Sequence, residues 1–153
     1  MTGMAADPPD DAAALLAREA ASLVSRLRLW TPARWAAAAQ VVGSRADLVH
    51  HLAQSLADAA AVLERQPRRT LPRLDSDLGL PDQLAVVADD LRRAEPDQIG
   101  ARAAVAHLLL HRWHLLDEDV PPGLAHRLGV TDVLGAGRAA CGPAGEHPPV
   151  RTE

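Results

Sequence analysis

Every long run between the proline and glycine breakers of this chain carries its apolar residues at helical spacing. None alternates with a period of two over more than a few positions. That pattern predicts an all-α fold, because a half-buried strand would show its two faces as strict alternation. In DDAAALLAREAASLVSRLRLW, residues 10–30, Leu15, Leu16, Leu23, Leu27 and Trp30 form one apolar stripe behind an Asp10–Asp11 start. Pro32 occupies a first-turn position, and PARWAAAAQVV predicts a short second helix ended by Gly43. SRADLVHHLAQSLADAAAVLER opens with Ser44 as cap and Asp47 as the acid that answers it, and predicts a long helix over 44–65. Two more helices are expected, over 81–95 behind Pro81 and over 97–117 behind Pro96, the latter closed before Pro121 and Pro122.

Four long helices in one domain over residues 10–120 predict an antiparallel four-helix bundle. A length of 153 residues suits one hydrophobic core and not two. Residues 1–9 and the Pro/Gly-rich stretch 121–153 are expected to lie outside it, largely disordered. QPRRTLPRLDSDLGL, residues 66–80, has two prolines, a glycine and no period, and its length suggests a connection across the molecule. The arginines Arg65, Arg68, Arg69 and Arg73 around it are expected to be solvated.

The last long helix carries His107, His111 and His114 in AVAHLLLHRWHLLDEDV. At 100° per residue they fall at roughly 0°, 40° and −20°, inside one narrow sector, with Arg102 and Arg112 on the opposite side. The imidazoles are therefore expected to point inward. On the 44–65 helix, the line through Leu48, Leu52, Leu56 and Leu63 puts His51 at the edge of the core stripe and His50 on its far side. Two histidines at i and i+4 can reach one metal from one helix, and a third from a neighbouring helix completes three nitrogens with a fourth position open. His51, His107 and His111 are the expected metal ligands, at about 2.0–2.1 Å each, with zinc the divalent ion that suits the donor type. His114, His50 and Asp47 are candidates for the surrounding shell. The competing reading is that these are hydrogen-bonded core histidines, since HxxxH also arises by chance.

The net charge of −4, with all 16 positive side chains arginine, supplies no basic stripe for a phosphate backbone, so nucleic acid is not an expected partner. A single cysteine, Cys141, excludes an internal disulfide framework and fits a reducing, cytoplasmic compartment. No apolar span long enough for a membrane helix occurs, and no signal peptide is recognisable.

The order of these features, Trp35, then DLVHHL on the second long helix, then HLLLHRWHLL on the last, resembles the DinB-like metal-binding four-helix bundles. The same stretches are similar to the related mycothiol-dependent maleylpyruvate isomerase group, although His107 stands where that pattern has a glutamate and His114 where it has an aspartate. The likeness covers the layout of residues 10–120 and rests on the two short motifs. It implies a histidine on one helix, His51, joined to an HxxxH pair, His107 and His111, followed by Arg112. It further implies a low-molecular-weight thiol, mycothiol-like, held as thiolate by the metal for transfer to, or isomerisation of, an electrophilic substrate. The chain has no Phe or Tyr to line a substrate pocket. The alternative is a non-catalytic helical module for dimerisation or partner binding, and a homodimer is expected in either case.

Overall fold

The computed structural model describes residues 11–39 and 43–116, the side chain of Trp113 excepted. The flanks 1–9 and 121–153, with Cys141, lie outside the described residues. Within them the chain is all-α: α1 (Ala12–Leu27), α2 (Pro32–Ala36), α3 (Arg45–Leu63), α4 (Leu80–Arg93) and α5 (Gln98–Leu116), with a 3-10 turn at Asp77–Gly79 ahead of α4. The helix ends follow from local chemistry. The Asp11 side chain accepts the Ala13 amide at α1, and Thr31 caps α2 with proline just inside. Ser44 and Asp47 close a reciprocal capping box at α3. At α5 the residue after Pro96 does the capping: Asp97 Oδ1 accepts the Gly100 amide at 2.7 Å.

α2 is shorter than the sequence predicts. The backbone leaves the helix at Ala37, whose ψ of 142° is extended. The Arg45 amide then donates to Ala37 O at 2.8 Å and the Ala39 amide to Gly43 O at 2.9 Å. These bonds form an isolated bridge, Ala38 to Ser44, that satisfies the polar backbone another helical turn would have used. Gly43, at φ +23°, takes the turn back, where a Cβ would collide with Asp47 Oδ2.

α1 and α3 each pack against both α4 and α5. The helix directions correct the expectation of an antiparallel arrangement throughout. His50 of α3 meets Gln83 near the start of α4, so these neighbours run parallel. The α1 and α5 N-termini also lie together, with the Ala12 amide donating to Gln98 Oε1 at 3.2 Å. Arg28, just past α1, pairs with Asp82 in the first turn of α4 at 2.8 Å, so that pair is antiparallel. α3 and α5 are antiparallel as well, because His51 in the first half of α3 faces His111 in the second half of α5.

The crossover between α3 and α4 makes this possible. It leaves α3 through Arg65, which is in the left-handed region at φ +54°, and returns along the helix it has just left. Gln54 holds it in both directions, accepting the Leu71 amide at 2.7 Å and donating to Arg69 O at 3.0 Å. Gln83 Nε2 donates to Pro72 O, and Arg73 donates to Ala46 O while pairing with Asp77 at 2.9 Å and Asp47 at 3.4 Å. Arg73 is thus a fastener, not the solvated residue expected from its neighbours.

The core is leucine and alanine with two tryptophans. Leu16, Leu23, Leu27, Leu52, Leu56, Leu84, Leu91, Leu108 and Leu115 are fully buried. Trp30 and Trp35 meet edge to face at 4.9 Å where α1 turns into α2, with the Arg34 and Arg45 guanidinium groups over the Trp30 ring.

Gln54→Ala removes both crossover bonds and leaves the Leu71 amide without its acceptor, which should lower stability by about 1–3 kcal/mol. Hydrogen exchange checks the cause: the Leu71 amide should lose protection while α4 amides shift only with global stability. Unchanged protection at Leu71 would show that Gln54 does not hold the crossover.

Candidate metal centre

α5 is apolar on nearly every side. Ala101, Ala104, Val105, Leu108, Leu109 and Leu115 are buried, Leu110 is half-buried and Ile99 is 79% exposed. Its histidine sector therefore lies on the flank of the buried stripe: the expectation that the imidazoles point inward holds for His111 and, through its buried Nε2, for His107. His111 is 7% exposed, while His107 and His114 are half-buried.

On α3 the expected order of burial is reversed. Ala46, Val49, Ala53 and Ala60 are as buried as the leucines. Including them turns the core stripe by roughly 40–50° toward His50. His51 is consequently exposed and His50 half-buried, the latter with Nδ1 at 3.4 Å from Gln83 Oε1. A reading based on leucines alone misses this because small residues bury as completely as large ones where helices approach closely.

His51, His107 and His111 are nonetheless neighbours across the α3–α5 seam. The His51 and His111 rings lie 6.2 Å apart, near parallel at 25°, and the His107 and His111 rings meet edge-on at 4.3 Å. His111 Nδ1 stands 2.9 Å from His107 O. A carbonyl can only accept, so Nδ1 carries the proton and Nε2 keeps its lone pair. His107 Nε2 is buried with no hydrogen-bond partner. Burial is the main force lowering the proton affinity of both. It brings the His111 pKa to about 4, against the bond to His107 O and with help from the charges of His107, His51 and His114. His107 is lowered by burial and then by His51. Both are neutral at pH 7, the form that ligates a metal. As the rings stand, no three His, Cys, Asp or Glu side chains among the described residues are arranged to hold a metal ion.

Of the shell candidates, His114 remains close enough for its charge to act on His111. Asp47 and His50 have other work: Asp47 accepts the Ser44 amide and hydroxyl, each at 2.8 Å, and pairs with Arg73, and His50 meets Gln83. Asp47 is held below the ordinary carboxylate range by those Ser44 bonds. Arg112, expected on the far side of α5, is half-buried against Glu19 of α1 at 2.9 Å. Nothing local marks Glu19 as its partner, since the two are 93 residues apart. No family model, curated protein or solved structure gives a significant match to the chain.

Because the His111 pKa is lower in the fold than in the unfolded chain, the unfolded state takes up the proton first as pH falls. Stability is full above about pH 6.5 and is lost down to about pH 4. For His111 alone the loss should be on the order of 3 kcal/mol. Urea titrations of chelator-treated protein at pH 7 and pH 4.5 should show it, and His111→Leu should flatten the dependence in that window. Equal slopes for the two proteins would mean that His111 protonates freely in the fold.

Proposed function

We propose that the chain is a DinB-like four-helix bundle that binds a divalent metal, zinc by donor type, through His51, His107 and His111. In this reading it acts in the cytoplasm, as a homodimer, on a low-molecular-weight, mycothiol-like thiol and an electrophilic substrate, by thiol transfer or thiol-dependent isomerisation. The observation that carries the proposal is the buried, partnerless His107 Nε2 beside the free Nε2 of His111. A buried nitrogen without a partner costs stability unless something uses it.

The donor chemistry suits such an ion. Two imidazoles are kept neutral by burial, and the carbonyl bond of His111 fixes its tautomer and ring orientation, as is usual for a ligating histidine. His51 is exposed, so its ring is the one with room to reorient toward the pair. A bound dication would lower the pKa of a coordinating thiol and supply a thiolate at neutral pH. The protein's part is to hold three nitrogens on two packed helices and to leave one side open at the His51 rim. The Glu19–Arg112 pair lies alongside and keeps the neighbouring charge balanced.

The second reading is a non-catalytic helical module in which the histidines, not arranged around one point among the described residues, serve only as core and surface polar groups. One experiment separates the two. Protein purified without a histidine tag should carry stoichiometric zinc, and His107→Ala and His111→Ala should each lose it with helical content intact. The zinc-loaded protein, not the stripped one, should then consume an electrophile in the presence of a mycothiol-like thiol. Absence of zinc from the native chain, or unchanged zinc in His111→Ala, leaves the module.

A further inference from the structure

α5 presents an ambiguity that its apolar residues do not resolve. With apolar side chains on most of its circumference, its apolar pattern alone specifies its rotation only weakly. Only some rotations bring His107 and His111 to α3. Polar contacts must choose among them. Gln98, accepting the Ala12 amide at 3.2 Å, fixes the height of α5 against α1 but lies at the helix start. A contact able to fix rotation beside the histidines is the ion pair from Arg112 Nη1 to Glu19 Oε2, at 2.9 Å.

That pair differs from the others. Its side chains are 20% and 18% exposed, whereas every other ion pair between described residues leaves both members at least 38% exposed. An exposed pair adds little and tolerates sliding. A largely desolvated one is strongly disfavoured in any arrangement that separates its members, so it acts as a register device more than as a source of stability. The geometry of α5 turns that into a site effect. Arg112 points to α1, and His111 and His107 follow it at roughly 100° and 140° around the helix, on the side where α3 lies.

We infer that Glu19 and Arg112 are positioning residues that set the rotation of α5 and so hold His107 and His111 against His51. The inference deepens the metal-site reading and, for its zinc consequence, rests on it. Its direct consequence, the ring contact itself, does not require a metal.

The test replaces the pair with an apolar one, Glu19→Leu with Arg112→Leu, in the full chain. Helical content and midpoint should be kept or raised, since packed apolar residues often substitute for a buried pair without loss. The nuclear Overhauser contact between the His51 and His111 ring protons should disappear, and zinc affinity should fall about 10–100-fold, the usual effect of losing an outer support of a metal site. Glu19→Gln, which keeps a hydrogen-bond acceptor for Arg112, should retain the ring contact. If the leucine pair does not fold, Glu19→Met with Arg112→Met is read the same way. A folded apolar-pair variant that keeps the ring contact overturns the inference. Loss of the ring contact in a protein whose native form binds no zinc supports the positioning role and refutes the metal-site reading instead.

Discussion

The crossover between α3 and α4 is the constraint on which the rest depends. It is long enough to return the chain to the starting end of α3: Gln54 and Gln83 bind its backbone on the way, and its own Arg73 donates to Ala46 O of α3. α4 therefore starts level with α3, and the short link through Glu95 sends α5 back antiparallel to α3. His51 is the seventh residue of its helix, and His111 is sixth from the end of its own. Antiparallel, the two are level. A tight α3–α4 turn would reverse α4 and α5, leaving these histidines about 10 Å apart along the axis. The candidate site thus depends on a loop that contributes no residue to it.

The seam between α3 and α5 sets burial against polarity. Desolvation lowers the proton affinity of His107 and His111, and His51 reinforces it in both, with His107 and His114 adding to it at His111. His111 offsets part of its burial with a bond to the carbonyl one turn back, whereas His107 Nε2 has no such compensation. A wholly apolar seam would be simpler to pack. The proposed metal centre gives the uncompensated nitrogen a use, and the half-buried Glu19–Arg112 pair on the other flank of α5 explains how an otherwise featureless helix presents it in one direction.

Without Phe or Tyr, the core is built of leucine with alanine between the helices. Ala20 of α1, Ala53 and Ala60 of α3 and Ala88 of α4 all lie in the buried cluster. Bulk comes instead from Trp30 and Trp35 at the α1–α2 corner. The same alanines explain why α3 buries a face rotated away from its leucine line, and why His50 and His51 exchange the degrees of exposure that the leucines alone suggest.

What the sequence determined by itself is local. Capping residues, first-turn prolines and helical periodicity are interactions within a few residues, so the spans of the four long helices follow from them to within one to three positions at each end. The adjacency of His107 and His111 follows from i, i+4 spacing for the same reason. The end of α2 was not legible, because the bonds that stop it come from Gly43 and Arg45 across a bridge. Helix direction, the inverted exposure of His50 and His51, the commitment of Asp47 to Ser44 and Arg73, and the pairing of Arg112 with Glu19 were decided only by the tertiary structure. Each depends on groups brought together from distant parts of the chain or on the summed packing of small residues, and neither leaves a periodic trace in the sequence.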